Sequence, residues 1–332
     1  MTTLAHLARS ARAAPWLLAG AGVLTLVLAG VSLFVGVGEV SLGALLGSGE
    51  RETRLLLASR LPRTLALLLA GSSLAIAGLV MQMVVRNRFV EPSTAGTTEA
   101  ASLGFLLVTL LAPGWPIMAK MAVSALSALA GTLLFLRILR AVPLRDAMLV
   151  PLVGIMLGGV IGAATTFLAY RFNLLPSLLA WTTGDFSGVL RGRYELLWLG
   201  FGATVLAFLA ADRFTLAAMG ENVATSLGLS YESVVVLGLG LVSVIAAVTL
   251  VSVGSIPFLG LVVPNLVSLM LGDNMRVSVP WVAVLGALFV LACDILGRLV
   301  RYPYEIPIGV VVGVIGSAVF LWLILRDRRA HG

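Results

Sequence analysis

The chain has 332 residues, of which 60% are hydrophobic and only 11% charged. Soluble domains carry roughly a quarter of their residues as charges, so this composition cannot cover a water-facing surface, and the bilayer is the expected solvent. The surplus of 22 basic over 15 acidic residues, a net +7, excludes a strongly basic nucleic-acid binder and suits the cytoplasmic loops of a membrane protein.

A helix needs about 20 apolar residues to cross the hydrocarbon core. Ten segments read as such spans: about 14–37, 61–84, 93–112, 115–139, 147–170, 194–211, 230–252, 254–271, 278–299 and 307–326. The first follows Arg9 and Arg12, but its apolar stretch is too long for a signal peptide, so it reads as a retained helix. The seventh and eighth are divided only at Val253-Gly254-Ser255-Ile256-Pro257. The third opens on a small, polar stretch from Ser93 to Ser102. The expected fold is therefore all-α and polytopic, with about ten transmembrane helices and both termini cytoplasmic. That orientation puts twelve arginines inside and nine outside, and the end Arg326-Asp327-Arg328-Arg329 supports it best. Connections are short, so residues 1–332 read as one transmembrane domain. Loop 171–193 is expected outside and loop 212–229 inside.

Several chemistries are excluded by residue type. Cys293 is the lone cysteine, so no intrachain disulfide forms. The only histidines, His6 and His331, sit at the two ends, which leaves no zinc site or Ser-His dyad for the membrane. Lys120 is the only lysine, and no Gly-Lys-Ser/Thr phosphate loop can be written around it. Any ATP used is hydrolysed by another chain, and the chain itself is not expected to be an enzyme.

Small residues form stripes at helical spacing. Gly154, Gly158 and Gly162 recur every four residues in the fifth span, followed by Thr165 and Thr166. Gly309, Gly313 and Ser317 do the same in the tenth. Each set lines one helix face, which serves either tight packing or the wall of a path. Ionisable residues inside spans are functional candidates. Here they are Glu99, Lys120 and Asp294, the last four residues before Arg298, a spacing equally suited to a structural pair. The loop from Arg213 to Leu229 reads as two short amphipathic helices hinged at Gly220, with Phe214, Leu216, Met219, Val223 and Leu227 supplying apolar contacts. Gly228 turns the chain back into the seventh span. A water-side loop this apolar needs the membrane interface or a partner protein.

These residues, in order, resemble the permease subunits of bacterial ATP-binding-cassette importers for iron-siderophores, haem and vitamin B12, the FecCD-type permeases. The resemblance runs through Arg60-Leu-Pro-Arg63-Thr-Leu, Gln82, Arg86-Asn87-Arg88-Phe89-Val-Glu91-Pro92, Gly96, Gly220-Glu221…Ala224…Leu227-Gly228, Phe258-Leu-Gly260-Leu-Val-Val-Pro264-Asn265, Asp294…Arg298 and Pro307-Ile-Gly309. It implies two permease subunits around a central path lined by the fifth and tenth spans, where the two glycine stripes lie. It also implies two ATPase subunits, each gripping a coupling loop (Gly220, Glu221, Ala224, Leu227, Gly228), and a periplasmic substrate-binding protein docked on Arg60, Arg63 and Arg298. Asn87 and Phe89 match positions at the cytoplasmic gate. ATP and magnesium would bind the partner ATPase, and no cofactor this chain.

Three positions depart from the family pattern: Arg88 and Phe89 stand where Asn-Pro-Leu has proline and leucine after Asn87, and Asn265 replaces a histidine. The polar stretch Glu91–Glu99 is similar to a subgroup associated with catecholate-type siderophores, which often works as a heterodimer rather than a homodimer. The absence of ligand clusters in the spans fits a large iron-siderophore chelate better than a bare ion. The expected location is the bacterial inner membrane. The competing expectation is an ion-coupled secondary transporter, for which Glu99, Lys120 and Asp294 are scattered candidates.

Overall fold

The computed structural model describes residues 15–36, 50–141, 149–192, 194–272 and 274–331. Arg9, Arg12, Arg145 and both chain ends lie outside the described residues, as does the expectation for where those ends sit. Among the described residues the chain is helical throughout, with no strand. In a low-dielectric solvent every backbone group needs a partner, and a helix satisfies its own.

Each expected segment coincides with one helix. These are α1 (Pro15–Phe34), α3 (Leu61–Val85), α4 (Thr97–Leu111), α5 (Ile117–Ala141), α6 (Leu149–Arg171), α8 (Leu197–Leu209), α11 (Tyr231–Val253), α12 (Leu259–Leu271), α13 (Met275–Leu299) and α14 (Ile308–His331). A short helix α2 (Glu50–Leu55) and a π-helical turn (Leu56–Arg60) run directly into α3. The coupling loop folds as α9 (Ala211–Ala218) and α10 (Glu221–Ser226). Loop 171–193 holds α7 (Leu175–Thr182).

The ten segments differ in length. Among the described residues seven helices are long and apolar enough to cross a membrane, or eight if α8 and α9, bent by 64°, are taken together. The other two, α4 with 15 residues and α12 with 13, are only about 22 and 20 Å long at 1.5 Å per residue. Both begin inside the bundle after non-helical segments, 86–92 and 254–258, the first followed by a 3-10 turn at Ser93–Ala95. The polar opening of the third segment and the Gly254–Pro257 break are the sequence marks of these late starts.

Helix α3 is the centre. Of its most apolar stretch 89% is buried, against 17% for α1 and for α14 and 22% for α6. It packs against α8, α11, α12 and α13. Missing side chains allow this: a Cβ at Gly78 would stand 1.9 Å from the Gly260 carbonyl of α12, and one at Gly71 would stand 2.9 Å from the Gly286 carbonyl of α13. In lipid no hydrophobic force draws helices together, so close backbone approach and van der Waals contact must do it.

Candidate functional site

At one end of the bundle the basic residues singled out from the sequence converge on an ion network. Asp294 accepts from Arg63 Nη2 at 2.8 Å and pairs with Arg298 one helical turn on. Arg63 Nη1 also donates to Glu305 at 2.7 Å. Arg298 donates to the carbonyls of Ser32 and Val35 at 3.0 and 2.8 Å and to the Ser32 hydroxyl at 2.6 Å, so α1 covers it. Arg60 donates to the Val35 carbonyl as well. Arg63 and Arg298, expected with Arg60 at the docking surface, are thus paired within the chain itself. The Arg298 side chain is 1% exposed and that of Arg63 11%, because two guanidinium groups and two carboxylates neutralise one another here. A buried charge is tolerated only when paired in this way.

The glycine stripes divide. A Cβ at Gly154 would fall 2.0 Å from the Thr94 carbonyl, and one at Gly158 would reach both Gly96 and the Glu99 carboxyl at 3.4 Å. Gly309 donates its N–H to the Gly184 carbonyl at 3.0 Å and abuts Ser255. Gly154 and Gly309 stand hard against neighbouring backbone, and Gly158 is in ordinary contact with α4 and the turn before it. Gly162 and Gly313 have looser surroundings, and Thr166 and Ser317 are exposed. Thr165 is buried and donates to its own helix, to the Ile161 carbonyl at 2.8 Å. Beside the stripes α6 exposes Ile155, Met156, Val160, Phe167 and Tyr170, and α14 exposes Val310, Val314 and Leu321.

Glu99 stands in the first turn of α4 against Gly158 and Gly162. Its Oε2 is buried without a hydrogen-bond partner. Lys120 donates to the Pro113 carbonyl at 2.9 Å at an exposed position, a snorkelled cation rather than a member of a relay.

Midway along α14 the two non-helical segments meet. Asn87 is buried, and its Oδ1 accepts from the Phe89 amide at 2.8 Å, which fixes the turn after α3. The Phe89 ring meets that of Phe320 edge-on, centroids 6.1 Å apart. Phe258 lies on the same ring at 6.4 Å. Asn265, where the family has histidine, donates to the Arg88 carbonyl at 2.8 Å and ties α12 to this turn. Glu91 is 3% exposed. Its Oε1 accepts from the Ser93 hydroxyl at 2.5 Å and from the Phe258 amide at 2.9 Å. A carboxylate thus caps the N-terminus of α12 from 167 residues away, where orphan N–H groups and the helix dipole favour negative charge. The sequence reading quoted Glu91 and Phe258 without a role and missed Phe320. Only Pro257 before an apolar run, and the proline after Glu91, marked these turns.

At the opposite end from the ion network, α9 and α10 are hinged at Gly220, whose φ of 108° suits glycine. Gly228, φ 79°, ends α10 in a Schellman turn: Leu229 N–H bonds Ala224 O at 2.9 Å and Gly228 N–H bonds Thr225 O at 2.9 Å. Ala224 is buried. Met219, Glu221, Val223 and Leu227 are exposed. Phe214, expected among the outward contacts, is fully buried against the core.

Comparison with known proteins places this architecture. The model of the FecCD transport family matches residues 24–326. The chain is 46% identical over 309 residues to the petrobactin import system permease protein YclN of Bacillus subtilis, covering 93% of this chain and 98% of that protein. It is 41% identical over 303 residues to the ferric-anguibactin transport system permease protein FatD of Vibrio anguillarum, covering 91% and 96%. A solved inward-facing structure of a metal-chelate type ABC transporter superposes with a TM-score of 0.79 at 25% identity, covering 94% of this chain and 99% of that one. With its motifs, its helices and these matches in agreement over nearly the whole length, the chain belongs to the FecCD transport family.

Proposed function

We propose that this chain is the membrane-spanning permease subunit of an ATP-binding-cassette importer that moves an iron-siderophore chelate across the bacterial inner membrane. The observation that carries the reading is the α9–α10 loop. Met219, Val223 and Leu227 stand exposed on a hinged pair of helices anchored from beneath by Ala224 and Phe214. A rigid, water-side apolar patch of this kind needs a partner. In this family's setting that partner is an ATPase subunit, which brings ATP and magnesium.

The rest of the proposal is built around that contact. Residues 1–332 act as one domain, the short helices α4 and α12 complete ten membrane segments with their non-helical lead-ins, and both termini are cytoplasmic. Two ATPase subunits bind below, gripping Gly220, Glu221, Ala224, Leu227 and Gly228. A second permease, more readily a different chain than a copy, faces α6 and α14. The path runs along Gly162, Thr166, Gly313 and Ser317, with Thr165, Gly154, Gly158 and Gly309 holding the wall and Asn87 and Phe89 at the cytoplasmic gate. A periplasmic binding protein docks at the outer end, where Arg60 and the exposed Arg301 reach it while Arg63 and Arg298 stiffen the platform. The relatives named for petrobactin and ferric-anguibactin support a siderophore chelate as cargo.

The test is a mild-detergent pull-down of the tagged chain from its host, with stoichiometric partners identified by mass, followed by uptake in the Glu221→Arg variant. An ATPase in the complex, and ATP hydrolysis that no longer drives uptake in the variant, are the expected results. No ATPase, with uptake that collapses with the proton gradient, would replace this reading with an ion-coupled secondary transporter.

A further inference from the structure

Phe320, which lies outside the quoted motifs, meets two residues that lie within them. Three rings from three separate segments meet there: Phe89 after α3, Phe258 before α12 and Phe320 in α14. Phe258 has φ of 64°, a conformation a bulky side chain adopts only when its surroundings hold it. Two features hold it. The Glu91 carboxylate takes its N–H at 2.9 Å, and Gly316 leaves room on α14, since a Cβ there would stand 2.7 Å from the Phe258 Cβ. Glu91 is also two residues from Phe89, so one buried carboxylate ties together both non-helical segments that carry a ring. Phe89, Phe258 and Phe320 are all partly exposed, so the cluster borders open space beside the exposed face of α14 rather than lying sealed in the core.

We propose that Phe89, Phe258 and Phe320 form an aromatic gate across the path, and that Glu91 is the positioning residue that latches its two loops together. The proposal rests on the permease reading and adds two gate residues and a latch to it. Closure is the state in which all three rings touch. Opening moves α14 and its Phe320 away, while Glu91 keeps Phe89 and Phe258 moving as one jaw. One edge-on and one tilted ring contact supply a small, reversible bias, suited to a gate that a partner's conformational change must open.

The experiment uses the full chain with the partners it purifies with, in inside-out vesicles, in a Cys293→Ser background. Val310→Cys, on the exposed face of α14 ten residues before Phe320, reports what passes the gate. A membrane-impermeant maleimide is added from the side of α9 and α10, without substrate or nucleotide. Slow labelling is expected with the gate intact. Phe320→Ala and Phe258→Ala are expected to speed it by roughly tenfold, and Phe320→Tyr, which keeps the ring, by less than about twofold. Glu91→Ala should behave like the ring deletions, and Glu91→Gln, which still accepts the Phe258 N–H, should restore slow labelling. A merely structural Glu91 would lower the melting temperature without changing the labelling rate. If Glu91→Ala does not assemble, the Phe320→Ala and Phe320→Tyr pair decides. Equal rates in wild type and Phe320→Ala, whether both slow or both fast, overturn the gate. The readout needs neither ATP nor cargo, so it stays legible if the pull-down finds no ATPase, and the two failures remain distinct.

Discussion

Asp294 shows how a single side chain in a low-dielectric setting commits its neighbours. It neutralises Arg63 and Arg298 at once, and all three are buried. Asp294→Asn leaves Arg298 without a countercharge, and breaking a buried pair costs about 3–5 kcal/mol. The melting temperature of the purified chain should fall accordingly. The double variant Asp294→Leu with Arg298→Met should melt higher than Asp294→Asn alone, since it leaves no uncompensated charge between them and Arg63 keeps Glu305. The reverse order would mean that the pairing does not hold this end together. Glycines differ as sharply. Gly78→Ala drives a Cβ to within 1.9 Å of the Gly260 carbonyl, so α3 and α12 must part. Overpacking of this kind costs about 1–3 kcal/mol. Gly159→Ala meets open space and should leave the melting temperature unchanged.

At the scale of elements, the coupling pair α9–α10 owes its shape to its ends. Gly220 and Gly228 take the backbone through φ 108° and 79°, and Asp212 pairs with Arg276 at the start of α13. Thr215 Oγ1 accepts from the Met275 amide at 3.3 Å, a second tie to the same helix. The loop is thus fixed to the bundle from within and apolar without. Val223→Asp with Leu227→Asp should weaken retention of the partner ATPase by tenfold or more, about 1.4 kcal/mol, with an unchanged melting temperature. Ala224→Asp, aimed into the chain, should lower both. Unaltered retention in the Val223 and Leu227 variant would remove the loop from the interface. The five apolar loop residues were legible as an amphipathic set, but periodicity could not tell that Phe214 faces the core: α9 has its own inner face, and only its docking on α3 and α11 reveals it.

For the whole molecule, the uneven burial of helices is the informative feature. Helices α1, α6 and α14 are all mostly bare, and lipid or a second subunit must cover them. Lipid tolerates an added apolar ring, whereas a packed interface does not. Val160→Trp on α6 and Val314→Trp on α14 should therefore break association with a second permease chain, while Val27→Trp on α1 should not. Native-mass or cross-linking stoichiometry reads this directly. If all three substitutions are tolerated, the bare faces of α6 and α14 are lipid-facing and the second permease lies elsewhere.

By itself the sequence determined everything that depends on local spacing and on solvent. Hydropathy located the ten apolar segments because a bilayer demands continuous apolar runs. The short motifs fixed the family because Gly220, Gly228 and the prolines impose their turns wherever they stand. The four-residue spacing also put Asp294 against Arg298. The tertiary structure alone decided what lies across from each face. It turned Arg63 and Arg298 inward beneath α1, set Gly154 and Gly309 against backbone, and made the helical parts of the third and eighth segments, α4 and α12, shorter than a full span. It also brought Glu91 to the N–H of Phe258, 167 residues away. A helix's period says which residues share a face, but the partner of that face is chosen by packing among distant segments, and no local pattern records it.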